Sequence, residues 1–98
     1  MTRQNVLNLL SRNFDYLRKN FTVSRLSIFG SVARNQAGSK SDIDILVDFS
    51  GAATFDNYMD LKFYLQELLR MNVDLVTQKA LRPQIREEIE KELINVPQ

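Results

Sequence analysis

Apolar positions along the chain follow two periods, and each period predicts its own elements. Val6, Leu9, Leu10, Phe14 and Leu17 recur at helical spacing, which predicts one amphipathic helix over roughly residues 2–19. "VSRLSIF", Val23 to Phe29, alternates and is rich in β-formers, so a strand is expected to end at Gly30. "SVARNQAGSKS" reads as a short helical turn and loop, and "DIDILVDF", Asp42 to Phe49, as the clearest strand. "SGAATFDN" is a loop with Asp56 as a candidate N-cap. Tyr58, Leu61, Leu65, Leu68 and Leu69 predict a second helix to about Arg70, and "NVDLVT" a third strand. Pro83 suits the first turn of a last helix whose apolar positions Ile85, Ile89 and Leu93 fall four apart, with Pro97 beyond its end. The fold class expected is α/β (α+β), a small mixed sheet of three or more strands flanked by helices.

Length and charge narrow this picture. The 98 residues are expected to form a single domain, 1–98, and 44% hydrophobic residues suffice for a modest core. Thirteen Lys and Arg against twelve Asp and Glu give a formal charge of +1, so there is no broad nucleic-acid surface. Phosphate recognition, if present, must be local. The absence of cysteine excludes disulfides and thiolate chemistry, and the absence of histidine removes the commonest general base and zinc ligand. The polar, periodic N-terminus predicts neither signal peptide nor membrane span, and a cytoplasmic location is expected.

Candidate chemistry lies between Phe29 and Phe49. A P-loop requires a Lys directly after the second glycine and glycines five positions apart. Gly30 and Gly38 are eight apart, and Ser39 separates Gly38 from Lys40, so a Walker-type site is rejected. Gly38 to Ser41 reads as a polar turn. A calcium loop fails as well, because Leu46 stands where an oxygen ligand is needed. Gly30-Ser31 directly follows a strand and precedes a helical turn, where backbone amides are without partners and can receive phosphate; a serine-capped tight turn is the simpler reading of those residues alone.

Asp42 and Asp44 share one face of their strand, opposite Ile43, Ile45, Val47 and Phe49, with Cα atoms roughly 6.5–7 Å apart. Two such carboxylates can converge on one ion or hold a pair about 3.5–4 Å apart, and they repel each other without a cation. An exposed edge strand is the alternative, although strands are depleted in Asp. Asp48 has the same parity but lies at the far strand end and reads as a polar terminus. Asp74 points away from Val73 and Leu75 and could join the pair if its strand lies alongside. Three such acids form an oxygen-ligand set suited to Mg²⁺ or Mn²⁺.

Gly30-Ser31, ten intervening residues and Asp42-Ile43-Asp44-Ile45 together resemble the G-[GS]…D-h-[DE]-h signature (h hydrophobic) of the DNA polymerase beta-like nucleotidyltransferases. The full run "FGSVARNQAGSKSDIDILVDF" and the ending "KALRPQIREEIEKELINV" are similar to the minimal nucleotidyltransferase (MNT) family, over nearly the whole chain. The resemblance implies that Asp42 and Asp44 bind two Mg²⁺ ions holding ATP, and that Asp74 serves the metal at the attacking oxygen and helps deprotonate the acceptor hydroxyl. It implies that Gly30 and Ser31 hold the β- and γ-phosphates. Arg34 matches a family arginine and either contacts phosphate or structures the loop. Lys40 could reach the triphosphate, but "NQAGSKS" lacks the Arg-Pro step many relatives carry.

With a single 98-residue domain expected, the chain is expected to lack the extra domains that choose base and acceptor in larger relatives. The family implies a HEPN-domain toxin as partner, with AMP transferred to a tyrosine of that toxin and the chain acting as antitoxin. The alternative is a non-catalytic module that neutralises its partner by masking it; a small-molecule acceptor leaves little surface for a second pocket. Phe55, Tyr58, Phe63 and Tyr64 could supply an interface or simply a buried helix face.

Overall fold

The computed structural model describes residues 2–35 and 42–98; Lys40, expected near the triphosphate, lies outside the described residues. In chain order the elements are α1 (Arg3–Arg12), α2 (Phe14–Phe21), β1 (Val23–Phe29), α3 (Gly30–Ala33), β2 (Ile43–Phe49), α4 (Phe55–Leu69), β3 (Val73–Thr77), a 3₁₀ turn (Gln78–Ala80), α5 (Pro83–Glu90) and β4 (Ile94–Asn95). The strands form a mixed sheet in the order β3-β2-β1-β4. β1 is antiparallel to β2 and β4, whereas β2 and β3 are parallel and joined across α4, as a parallel pair requires.

One sheet face carries the core. Ile43, Ile45 and Val47 from β2, Leu26 and Ile28 from β1, and Val73 and Leu75 from β3 are buried together with Val6, Leu10, Phe14 and Leu17 and with Leu61, Leu65 and Leu69. The last three recur every fourth residue, so α4 lays one apolar stripe on the sheet. Its first turn is capped by Thr54, whose hydroxyl accepts from the Asn57 amide at 3.0 Å; Asp56, the expected cap, lies inside the helix. Thr54→Ala is expected to lower stability by about 1 kcal/mol, read as a denaturation midpoint. Among the described residues no helix is long and apolar enough to cross a membrane.

Two elements depart from the periodic expectation. The first helix is broken at Asn13, whose Nδ2 donates to the Leu9 carbonyl at 2.8 Å and so satisfies the end of α1 with a side chain. The apolar spacing continues through the break, because Phe14 and Leu17 are buried on the same face as Leu10. The last helix stops at Glu90, leaves Ile85 50% exposed, and gives way to β4. There Ile94 and Asn95 pair with Ile28 and Ser27, and the Val96 amide donates to the Leu26 carbonyl at 2.9 Å. Pairing the open edge of β1 outweighs one more helical turn.

Candidate active site

β1 hands the chain to α3 through Gly30, at φ +74°, where a Cβ would lie 2.0 Å from Asp44 Oδ2. The contact follows from the sheet, since Phe29 and Asp44 are register partners across β1 and β2. On the other side of β2, Asp44 is the register partner of Asp74 in parallel β3. Asp44 therefore sits between the Gly30 turn and Asp74. Asp42 immediately precedes β2 and is exposed, as is Asp74, whereas Asp44 is half-buried.

Burial and crowding of charge together push the pKa of the Asp44 carboxyl up to about 6. Burial is the main cause, followed by the charge of Asp74, a hydrogen bond with Asp74, and the charges of Asp42 and Glu92. β3 is held in place by the Tyr58 hydroxyl, which donates to the Leu75 carbonyl, and by the Val73 amide, which donates to Gln66 Oε1 at 3.1 Å. Burial and then the Asp74 charge raise the Tyr58 phenol.

Arg34 follows α3 and is anchored by Glu92, with Nη1 2.7 Å from Oε2. Glu92 also accepts from the Gly30 amide through Oε1 at 3.1 Å. The Arg34 hydrogen bond leads the causes that hold Glu92 below its ordinary range. An open cleft of about 560 Å³ separates this turn from α5, with Gly30, Arg34 and Asp44 on one wall and Gln84, Ile85 and Glu88 on the other. That volume falls in the range of small-molecule sites, about 300–1,000 Å³. Ser31 is half-buried in the first turn of α3.

Asp42, Asp44, Asp74, Gly30, Ser31 and Arg34 thus lie on adjoining segments around one end of β2. Asp48 stands apart, at the far end of β2, with Oδ2 3.6 Å from Arg25 Nε. Glu92 and the α5 wall are additions that the sequence pattern did not point to. Glu92 sits in a run of charges, "EEIEKE", with nothing local to distinguish it from its neighbours. The four aromatic residues divide: Tyr58 and Tyr64 pack on the core, while Phe55 and Phe63 remain 75% and 57% exposed.

A divalent cation fits this donor set by its chemistry. Asp42, Asp44 and Asp74 offer only carboxylate oxygens, and a cation would offset the burial and the neighbouring charges that raise Asp44. Among the described residues no three acidic side chains are already closed around an ion-sized point.

A four-stranded mixed sheet whose central strand presents acids beside a glycine turn is the architecture of a minimal nucleotidyltransferase. A solved structure provisionally described as a minimal nucleotidyltransferase superposes with TM-score 0.81 at 34% identity, covering 96% of this chain and 95% of that one. The family profile "Nucleotidyltransferase domain" matches residues 10–96, and the chain belongs to that family. A Methanocaldococcus jannaschii protein provisionally named a protein adenylyltransferase is 38% identical over 96 residues, 97% of this chain and 98% of the relative. The protein adenylyltransferase MntA of Thermococcus cleftensis is 33% identical over 96 residues, 98% of this chain and 97% of the relative. A chain of the Shewanella oneidensis complex of tri-AMPylated HEPN toxin with MNT antitoxin shares the fold, with TM-score 0.68 at 21% identity, covering 97% of this chain and 71% of that one.

Proposed function

We propose that this nucleotidyltransferase transfers AMP from ATP, in the presence of Mg²⁺, to a tyrosine hydroxyl of a HEPN-domain toxin and thereby acts as its antitoxin. The observation that carries the reading is the placement of Asp44, in register with Asp74 and in contact range of the Gly30 turn. The names of the full-length relatives as protein adenylyltransferases support the reaction class. The toxin complex of the Shewanella neighbour supports the kind of partner.

In this reading Asp42, Asp44 and Asp74 hold Mg²⁺, with Mn²⁺ an alternative. When bound there, the cation would supply charge neutralisation at the α-phosphate and lower the pKa of the acceptor hydroxyl. The Gly30 amide, the Ser31 hydroxyl and Arg34 orient the β- and γ-phosphates, so that pyrophosphate faces away from the acceptor. Asp74, the most accessible carboxylate of the Asp44 pair, takes the hydroxyl proton as the new O–P bond forms and the α–β bridge breaks. With no histidine in the chain, catalysis consists of positioning and electrostatics. Phe55 and Phe63, exposed on α4, are available as apolar contacts for the partner.

The test is incubation with α-labelled ATP, Mg²⁺ and a HEPN-domain protein from the same organism. Label is expected on the partner, and the variant carrying Asp42→Asn with Asp44→Asn is expected to transfer none. An unlabelled partner, or equal labelling by the double variant, overturns the reading. A double variant that transfers nothing yet still protects cells from the toxin would instead establish neutralisation by masking.

A further inference from the structure

The Gly30 amide, assigned above to the triphosphate, already has an occupant. Glu92 Oε1 accepts from it at 3.1 Å while Oε2 lies 2.7 Å from Arg34 Nη1. One carboxylate thus bridges a backbone amide and a guanidinium, the pair of donors that two phosphate oxygens would use. The residue arrives from 62 positions away, and its main chain is fixed there. The Glu92 amide donates to the Ile89 carbonyl at 3.0 Å, and β4 begins two residues later.

Two roles are open to such a carboxylate, and their energetics differ. As a structural tie, a partly exposed ion pair contributes little, about 0–1 kcal/mol. As a charge, Glu92 adds to those of Asp42 and Asp74 around Asp44. It therefore opposes a polyanionic ligand in the very place where that ligand needs donors. Its side chain lines the open cleft and is 31% exposed, so rotation about its own torsions can vacate the seat without unpairing β4.

We propose that Glu92 is an internal stand-in for the β- and γ-phosphates, seated on the Gly30 amide and Arg34 while the cleft is empty and displaced when a nucleoside triphosphate binds. The proposal rests on reading the cleft as a nucleotide site. Its consequence is a weakened apparent affinity, because the ligand binds only the fraction of molecules whose seat is vacant. It also confers a preference, since only ligands with phosphates beyond the first gain from evicting Glu92.

The test is calorimetric titration of wild type and Glu92→Gln with ATP, inorganic tripolyphosphate and AMP, each with Mg²⁺. Gln keeps the shape and an oxygen acceptor for the Gly30 amide but removes the charge. ATP and tripolyphosphate are expected to bind the variant about 10- to 150-fold more tightly, the span of a charge-assisted contact, with AMP affinity unchanged. Equal or weaker binding of ATP and tripolyphosphate by the variant overturns the proposal, as does an equal gain for AMP. In the wild-type protein, which needs no variant to fold, the ¹³C resonance of the Glu92 carboxylate is expected to shift on saturation with tripolyphosphate; an unmoved resonance beside a shifted Gly30 amide also overturns it. Absence of ATP binding by wild type and variant alike removes the nucleotide reading itself and this proposal with it, a result distinct from a wild type that binds and a variant that gains nothing.

Discussion

Asp44→Asn is expected to lower AMP transfer by about 100- to 1,000-fold and, in the same protein, to stabilise the metal-free fold above pH 6. The opposite signs have one cause. Asp44 is the carboxylate placed between the Gly30 turn and Asp74, and its ionised form is the one its surroundings disfavour. The native carboxyl titrates at about 6, against about 3.9 for an unfolded aspartate. Between those values the folded chain binds more protons than the unfolded chain, so wild-type stability falls as pH rises from about 4 to about 6 and stays at the lower level above. Asn has no such titration, and its amide can donate to Asp74 as the protonated carboxyl does. Thermal melts in chelator from pH 4 to 7 should therefore slope downward in this window for wild type and run flatter for the variant. Mg²⁺ should raise the wild-type midpoint by mass action and leave that of the variant nearly unmoved. Transfer within tenfold of wild type, or identical pH slopes, would remove Asp44 from the centre of the site.

What the sequence disclosed of this site depends on the range of the interaction concerned. Asp42-Ile43-Asp44-Ile45 declares itself because a strand has a period of two and these residues sit badly on any helix. Gly30 declares a turn for a similarly local reason. Asp74 is different: its parity is visible in "VDLVT", but its place beside Asp44 follows from β3 lying parallel to β2, a matter of strand order. Glu92 reaches Gly30 across 62 positions and carries no local mark. The two departures from periodicity in the fold have the same origin. Phe14 preserves the helical spacing across the Asn13 break, so the pattern shows one helix where a side-chain cap makes two. Leu93 continues the spacing of Ile85 and Ile89, so the pattern hides a chain that leaves α5 to complete the edge of β1. Period reports which face is buried, but not whether a tertiary partner captures the backbone first.

The same logic makes Gly30→Ala costly to both fold and transfer. Two costs fall on one methyl group. The first is conformational: at φ +74° an L-residue is disfavoured by about 1–2 kcal/mol. The second is local, since the new Cβ would lie 2.0 Å from Asp44 Oδ2, and Asp44 must yield. Yielding means leaving the position between Gly30 and Asp74, and displacing a catalytic group by about 1 Å can cost roughly 100-fold in rate. Gly51 separates the two costs. It too has positive φ, at +83°, but nothing lies within 4 Å of the Cβ it lacks. Gly51→Ala is thus expected to lose about 1–2 kcal/mol of stability with transfer intact. Gly30→Ala is expected to lose at least that much stability and about 100-fold or more in transfer. Denaturation midpoints and labelled-AMP transfer, measured on both variants under one set of conditions, check the pair. Equal transfer by the two would mean that the close approach of Gly30 to Asp44 serves the fold alone.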